Sequence, residues 1–344
     1  MNDYKIRKIS KEYLTDNLII FSQAKYIRNI DEFPFVIALN EKNAKESFSK
    51  IYKGIYESEL INDFELVAIR EKKKIDRCLD VFMEKTYVAN NVNIARGIYI
   101  NEQKRVAIFV NFKDHIKIMS SALGNKLDEC YSIIDKIDDK ISEQIKYAYD
   151  GKYGFLTSSL MDVGTGFRSN LVFHLPALSI IGYIDKLRDA LIQIGYNFEN
   201  ILKENDISES HYYMLSNKFT LGVSEKEIVE LLKDLSREII SKEVAARETL
   251  INSRIRVLEN DIKRAYGLLK HATLIKYEEA IKYISLIKLG ISYGFFNDVD
   301  ENYLDKVVFE ISDNYLLEPE KKVISKNDIE YTRSKKIKKC FIGD

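Results

Sequence analysis

The residues best suited to chemistry lie in one stretch, GFLTSSLMDVGTGFRSNLVFHLPAL, which runs from Gly154 to Leu178. Gly164 and Gly166 predict a turn, Arg168 follows it, and an apolar helical pattern comes next. The backbone N–H groups of such a turn and a guanidinium fork both suit the oxygens of a phosphate group. The stretch therefore predicts a phosphate-binding loop. The alternative is that Gly164 and Gly166 only make a tight turn and bind no phosphate.

Other reactive residue types are thinly spread. The four histidines have no metal-ligand spacing, and we expect structural or surface roles for them. Cys78, Cys130 and Cys340 are too few and too scattered for a disulfide framework or a cysteine-based zinc site. Tyr212 and Tyr213 suit stacking on a nucleobase, but we expect them to pack inside the fold. No metal site is predicted.

The charge balance limits the partners. The chain has 344 residues, with 53 Lys+Arg against 53 Asp+Glu and a formal net charge of +0. That balance excludes the broad basic surface with which proteins bind nucleic acid or anionic membranes. Apolar runs are interrupted well before the roughly 18 residues of a membrane span, and the first residues have no signal-peptide pattern. We therefore expect a folded cytoplasmic protein.

Periodicity places the candidate residues on both strands and helices. Residues 98–100 and 106–110 predict a β-hairpin across the turn NEQK. Apolar residues recur at helical spacing over 127–145. Ser224, with Glu227 three residues later, predicts a capped helix that runs to about residue 253.

Weaker patterns predict helices over 41–52 and 64–85 and an extended segment over 33–39. From about residue 256 the strand signals stop, and two apolar helical stripes follow. The fold class is therefore α+β, with a first domain over 1–253 and a helical domain over 254–344.

Five segments resemble the ATP:guanido phosphotransferase family, and within it the bacterial protein-arginine kinases. Gly154–Leu178 is similar to the family pattern GYLTxCPTNxGTGLRASVMxHLPAL, and Asn111–Ile118 is similar to NEEDHLRI. Glu199–Glu225 resembles RGxYGEGxEAxGNxFQISNQxTLGxSE without a gap, and Phe21–Phe35 resembles STRIRLARNLxDFPF. The helical region from Arg264 resembles the family's dimerisation domain. The resemblance implies a guanido-kinase catalytic domain of the glutamine-synthetase-like type, in which helices line an antiparallel sheet.

The same resemblance implies the catalytic residues. The family is understood to use two glutamates to orient the substrate guanidinium and take its proton. One falls on Glu204, which is retained, and the other falls on Lys113. At about 4 Å and an effective dielectric of about 20, a charge pair is worth about 4 kcal/mol, so this reversal of sign weakens catalysis by several decades as an upper value.

The resemblance also implies a nucleotide-binding set that has lost positive charge. The family's five phosphate-binding arginines fall on Gln23, Lys25, Lys117, Arg168 and Glu199. Their formal charge is +2 instead of +5, and lysine holds phosphate only as a point charge. Ser169 and Asn170, directly after Arg168, complete the predicted set.

A second family site is also altered. Many of these proteins bind phosphoarginine with the motif RDxxRA, which corresponds here to NDIEYT. Asn327 and Asp328 are therefore the remnant of a phosphoarginine pocket without its arginine.

Two functions follow from the resemblance. The first is a protein-arginine kinase relative that has lost efficient catalysis, a pseudokinase acting as a binding or regulatory subunit. The alternative is an active protein-arginine kinase that uses Glu204 and a rebuilt phosphate site, with ATP and Mg²⁺ as its nucleotide and metal. Metabolism of small guanidines is a third and weaker hypothesis. The family context implies a homodimer in the stress response. Its implied partners are a zinc-finger activator, a heat-shock repressor and a Clp unfoldase–protease.

Overall fold

The structure is a computed structural model, and it describes residues 17–58, 64–68, 95–201, 210–317 and 325–342. Two predicted features lie outside these ranges: Glu204 and nearly all of the predicted 64–85 helix, which includes Cys78.

The main sheet has eight strands in the order β2-β3-β4-β5-β1-β8-β10-β9. A short pair, β6-β7, forms a second sheet. The strands are β1 (Ile19–Arg28), β2 (Glu65–Ala68), β3 (Gly97–Asn101), β4 (Val106–Val110), β5 (Ile116–Leu123), β6 (Tyr149–Asp150), β7 (Gly154–Phe155), β8 (Phe167–His174), β9 (Tyr196–Asn200) and β10 (Tyr212–Asn217). The pairs β2–β3, β3–β4, β4–β5 and β1–β5 are antiparallel. The predicted hairpin is therefore confirmed as β3–β4, and the sheet agrees with the α+β fold class.

Helices make up most of the C-terminal region. They are α1 (Glu41–Glu57), α2 (Leu127–Ser142), α3 (Pro176–Ile180), α4 (Ile184–Gln193), α5 (Glu225–His271), α6 (Tyr277–Ser292), α7 (Glu301–Val308), α8 (Asp313–Leu316) and α9 (Lys326–Lys338). Within the described parts of the chain, no helix is both long and apolar enough to cross a bilayer.

Three local predictions were wrong. Glu65–Ala68 is a strand and not the start of a helix, because it pairs along β3. Residues 36–38 form a 3₁₀ turn inside the segment predicted to be extended. Helix α1 continues past Gly54, which lies close to Ile145: a Cβ at Gly54 would be 2.8 Å from the Ile145 Cδ1 atom.

The two faces of the sheet have different neighbours. In the β1–β5 register, Lys25 lies opposite Met119, and Ile27 lies opposite Lys117. Directly opposed side chains share a face and successive ones alternate, so Lys25 and Lys117 project from one face. Tyr26, from the other face, donates a hydrogen bond to Asp135 on α2 at 3.1 Å. Helix α2 therefore covers the face opposite the predicted nucleotide-binding residues.

Arg28 ties the α2 face of β1 to the helix. Its Nη2 lies 2.8 Å from Asp138 Oδ2, and the Arg28 side chain is only 2% exposed. The guanidinium carbon lies 3.7 Å from the Phe155 ring centroid and 4.3 Å from that of Tyr26. This buried cation is thus neutralised by one carboxylate and packed between rings.

The chain forms two compact units. The sheet unit comprises Phe21–Leu171 and Ser216–Leu232. The helical unit comprises Val172–Leu215 and Lys233–Asp344, with the residues up to Ile20. Strands β8 and β10 each contribute residues to both units.

A buried charged pair organises the helical unit. Glu243 on α5 accepts hydrogen bonds from the backbone N–H groups of Ala177 at 3.0 Å and Leu178 at 2.9 Å. Arg247, one turn later, donates Nε to Glu243 at 2.8 Å and Nη1 to Ser292 Oγ on α6 at 2.7 Å. Helix α5 is interrupted by non-helical backbone at Arg254, but these contacts join the two sides of that break.

Candidate functional site

Three neighbouring strands of the sheet unit, β5, β1 and β8, carry most of the predicted nucleotide-binding residues. Gln23 on β1 is fully buried, and its Oε1 accepts a hydrogen bond from Asn170 Nδ2 on β8 at 2.7 Å. Where the family resemblance places an arginine, this position therefore holds a neutral amide bonded to another amide. Its hydrogen bond stabilises the sheet and adds no positive charge.

Two lysines keep positive charge on this face. Lys117 on β5 is 6% exposed, and its Nζ lies 5.8 Å from the Phe109 ring centroid. Lys25 on β1 is half-buried and projects from the same face. Both cations can attract a phosphate, but neither offers the planar fork of an arginine.

Arg168 on β8 is surrounded by protein acceptors. Its Nε donates to Asp162 Oδ1 at 2.6 Å, its Nη2 donates to the Met161 carbonyl at 2.7 Å, and its Nη1 donates to the Asn217 carbonyl. The Arg168 side chain is 14% exposed and that of Asp162 is 9% exposed. All three guanidinium nitrogens are thus engaged within the fold. A phosphate at this point would have to replace existing hydrogen bonds and approach a carboxylate.

Asp162 also faces Lys113. The Lys113 Nζ lies 3.8 Å from Asp162 Oδ2, and the Lys113 side chain is 55% exposed. Asp162 occupies the asparagine position of the family motif CPTN, where an amide carries no charge. One carboxylate therefore lies between the retained arginine and the lysine that stands in place of a glutamate.

The glycine turn serves close packing. Gly164 has φ +118°, and a Cβ there would lie 2.4 Å from the Thr220 carbonyl oxygen. A Cβ on Gly166 would lie 2.5 Å from the Ile27 carbonyl oxygen. The Thr165 N–H donates to Thr220 at 3.0 Å, so this amide is used inside the protein. These contacts support the tight-turn interpretation of the two glycines over a phosphate cradle.

Ser169 lies apart from the other members of the set. It alternates with Arg168 and Asn170 along β8, so its side chain projects from the opposite face. Its N–H donates to Asn217 Oδ1 at 2.9 Å, and the side chain is completely buried. The structure thus gives Ser169 a place in the interior of the sheet unit.

A hydrogen-bonded frame supports the Lys113 loop. Asp114 Oδ1 accepts from Asn29 Nδ2 at 2.7 Å and from the Ser158 N–H at 2.6 Å. The His115 N–H donates to Asn29 Oδ1, and His115 Nδ1 accepts from the Ile30 N–H at 3.3 Å. Burial lowers the pKa of His115 to about 4, so the imidazole is neutral at pH 7. This frame fixes the loop backbone and leaves Lys113 to project outwards.

The remaining predicted residues lie elsewhere. Glu199 is an exposed residue of β9 in the helical unit, and Glu204 lies outside the described residues. Tyr213 stacks on Phe198 with ring centroids 5.4 Å apart, and Tyr212 is completely buried, which confirms their packing role.

The phosphoarginine remnant serves a helix end. Asp328 completes a capping box with Ser325 at the start of α9: Asp328 Oδ2 accepts from the Ser325 hydroxyl at 2.7 Å and from its N–H at 3.1 Å. Asn327 precedes it in the same turn. Arg333 on this helix is 1% exposed and donates to the carbonyls of Ile311 and Ile275. Asp328 and Arg333 therefore form hydrogen bonds that stabilise the fold.

Two residues that hold Arg168 were not among the predicted site residues. Asp162 and Asn217 hold Arg168, and each lies inside a segment with a family counterpart. The sequence shows that aspartate stands at position 162 where the family motif has asparagine. Its contact with Arg168 depends on the turn between them, which brings residues six apart onto one site.

Comparison with known proteins places this arrangement in a family. The model for the ATP:guanido phosphotransferase C-terminal catalytic domain matches residues 40–246, which is more than half of the chain. The model for the protein-arginine kinase McsB C-terminal domain matches residues 255–342. The chain belongs to the protein-arginine kinase family.

Individual relatives agree with this assignment. A protein-arginine kinase of Caldanaerobacter subterraneus is 35% identical over 298 residues, covering 86% of this chain and 88% of the relative. One from Clostridium kluyveri is 31% identical over 322 residues, covering 92% and 93%. The protein-arginine kinase resemblance of the five sequence segments is therefore confirmed.

Solved structures show the fold. The taurocyamine kinase of Schistosoma mansoni, solved with transition-state analogue components, superposes with a TM-score of 0.61 at 21% identity. The match covers 72% of this chain and 37% of that duplicated kinase. Lombricine kinase superposes with a TM-score of 0.59 at 20% identity, covering 66% of each chain. This chain thus has the fold of these guanidino kinases.

Proposed function

We propose that this protein-arginine kinase family member has lost efficient phosphoryl transfer and acts as a binding or regulatory subunit, a pseudokinase. The observation that carries this proposal is the engagement of Arg168 by Asp162, Met161 and Asn217. Phosphoryl transfer relies on positive groups aimed at the charge that develops on the phosphate. The one retained arginine of the predicted set already has protein partners for its donors.

The charge at the substrate position supports the same proposal. Lys113 stands where the family resemblance places a carboxylate, and it projects from the site with its side chain more than half exposed. A cation there repels the guanidinium that a protein-arginine kinase must orient. The site also suits a nucleoside triphosphate poorly, because Gln23 contributes a neutral amide and Asp162 contributes a negative charge.

An active kinase is the alternative, and specific observations favour it. Lys25 and Lys117 keep two cations on the site face, and the Asp114–Asn29 frame is intact. Glu204 is retained at the position of one family glutamate. In this alternative, Glu204 takes the proton and the lysines hold the phosphates of ATP with its Mg²⁺.

One experiment separates the two. The full chain is incubated with Mg-ATP and an arginine-rich protein, and acid-labile phosphoarginine is measured by mass spectrometry. The proposal expects no turnover above that of a Glu204→Ala control. Turnover that disappears in Glu204→Ala contradicts the proposal and establishes the active kinase.

A restoring variant tests the stated cause. Lys113→Glu, Gln23→Arg, Glu199→Arg and Asp162→Asn together return four of the altered positions to the family pattern. We expect this variant to gain Mg-ATP binding, read as a rise in melting temperature, and to form phosphoarginine. An intact fold with neither gain means that other differences cause the loss.

The remaining family properties are proposals on the same basis. We propose a boundary between a kinase-like domain, 1–253, and a helical dimerisation domain, 254–344. The backbone break at Arg254 and the ends of the two matched segments, at 246 and 255, support it. A cytoplasmic homodimer in the stress response is proposed from the family. Its proposed partners are a zinc-finger activator, a heat-shock repressor and a Clp unfoldase–protease.

A further inference from the structure

A cavity of about 620 Å³ lies in the sheet unit, away from the kinase-like site. Its walls are the turn between β3 and β4, the adjoining ends of β4 and β5, and one side of α2. Its volume falls within the range of about 300–1,000 Å³ that is typical of small-molecule sites.

The cavity opens on the α2 face of the sheet. Val106 lies opposite Ser120 in the β4–β5 register, and Ser120 alternates with Met119, which shares the face of Lys25. Val106 and Ser120 line the cavity together with Cys130 of α2. A ligand bound there would thus be separated from the predicted nucleotide-binding residues by the sheet itself.

The rim of the cavity is basic. Among its described lining residues there are four cations, Lys104, Arg105, Lys136 and Lys140, and one carboxylate, Glu129. Lys136 and Lys140 are exposed and one helical turn apart, a spacing at which like charges repel. A bound anion would relieve that repulsion.

Two other acidic residues of α2 have partners outside the cavity. Asp135 accepts a hydrogen bond from Tyr26, and Asp138 pairs with Arg28. Neither carboxylate lines the cavity.

The interior of the cavity suits an apolar body with one polar contact. Ile133 and Ile137 of α2 line it beside Val106. The Ser120 hydroxyl is buried and forms no hydrogen bond of normal geometry within the described residues, and the Cys130 thiol beside it is a weak partner. A ligand atom that bonds to Ser120 would satisfy this hydroxyl.

Arg105 holds an unusual backbone position at the rim. Its φ is +48°, and its carbonyl accepts a hydrogen bond from the Ser121 N–H at 3.0 Å. Glycine is favoured at such a position in a hairpin turn. The chain instead places a guanidinium there, on the wall of the cavity.

We propose that this cavity binds a small organic anion. Its phosphate or carboxylate group lies among Lys104, Arg105, Lys136 and Lys140, and its aromatic or aliphatic body packs against Ile133 and Ile137.

The test uses the full chain and the fluorescent anion 8-anilinonaphthalene-1-sulfonate. The double variant Arg105→Gln/Lys136→Gln should weaken binding of the probe by about tenfold, because two charged contacts are lost. The matched control Lys42→Gln/Lys45→Gln, on exposed positions of α1, should leave the affinity unchanged. Equal affinity in the wild type and the cavity variant overturns the proposal.

Two further arms sharpen the test. Arg105→Gly should raise the melting temperature by relieving the left-handed backbone and yet weaken binding, so lost binding cannot be ascribed to unfolding. Phenyl phosphate, benzoate and benzyl alcohol then compete with the probe. Displacement by phenyl phosphate or by benzoate identifies the anionic group, whereas equal displacement by benzyl alcohol contradicts an anion site.

Discussion

Arg168 Nε and Asp162 Oδ1 lie 2.6 Å apart in a nearly buried ion pair. The two residues are six positions apart, on either side of the Gly164–Gly166 turn. The arginine that the family pattern assigns to a phosphate is therefore paired with a carboxylate of its own chain. The pair stabilises the turn and competes with any anionic ligand for the same guanidinium.

We expect Asp162→Asn to separate these two effects. Losing the charged partner should lower the free energy of unfolding by about 2 kcal/mol, since the ion pair is replaced by a hydrogen bond from the same guanidinium to a neutral amide. Removing the carboxylate should raise the affinity for Mg-ADP by about tenfold, measured by calorimetry. Asp139→Asn, on an exposed position of α2, is the matched control and should change neither quantity. Unchanged nucleotide affinity in Asp162→Asn would show that the pair does not limit binding.

The buried pair Arg28–Asp138 should behave differently from an exposed pair. Asp138→Leu alone leaves a buried cation without its carboxylate and should cost about 3–5 kcal/mol in urea unfolding. The double variant Arg28→Met/Asp138→Leu should recover much of that loss, because no charge stays buried. Asp185→Ala, which breaks the exposed pair with Arg188, should cost less than about 1 kcal/mol. Similar losses in the single and double variants would mean that packing dominates at Arg28.

His115 should make stability depend on pH. Its pKa is about 4 in the folded protein and about 6.5 when unfolded, so the unfolded state binds more protons between these values. Stability contributed by the neutral imidazole is present above about pH 6.5 and is lost as pH falls towards 4, by up to about 3 kcal/mol.

His115→Gln should flatten this dependence, measured as the free energy of urea unfolding at intervals from pH 7 to pH 4. Burial also lowers the pKa of His174, which keeps its own dependence of the same sign in both proteins. His271→Gln, at an exposed position, serves as the control. If the free energy of unfolding changes with pH as steeply in His115→Gln as in the wild type, His115 is not the source of the pH dependence.

The glycine turn gives a steric prediction. Gly164→Ala should lower the free energy of unfolding by about 3 kcal/mol or more, because its Cβ would overlap the Thr220 carbonyl in addition to the strained backbone. Gly222 has φ +82° but no atom near its added Cβ, so Gly222→Ala should cost only about 1 kcal/mol. Equal losses for the two variants would leave backbone strain as the whole effect.

Periodicity predicted the elements that follow one simple pattern. The alternation at Val106–Val110 and the helical spacing from Leu127 onward correspond to β4 and α2. Glu65–Ala68 lies in a short apolar run that suits a helix or a strand, and the residues of β3 that make it a strand lie about thirty positions away.

The site shows a similar limit. The family pattern identified Gln23, Lys113 and Arg168 as positions of interest, and the changes of charge at Gln23 and Lys113 could be read directly from the sequence. The letters could not show that Asp162 and Asn217 use the donors of Arg168, because hydrogen bonding depends on a turn and a neighbouring strand. The charge of the site could therefore be predicted from single residues, whereas the hydrogen-bond partners of Arg168 could be identified only from the folded structure.

The contacts around α5 limit how this protein can be recombined with its relatives. Glu243 and Arg247 lie within or beside the first family segment, while Ser292 and the Ser285 partner of His174 belong to the second. In a chimaera that takes one segment from another kinase, buried hydrogen-bond donors and acceptors would come from two different proteins and would not match. The two segments are therefore linked by buried hydrogen bonds. A successful exchange must replace α5, α6 and the residues bonded to them together.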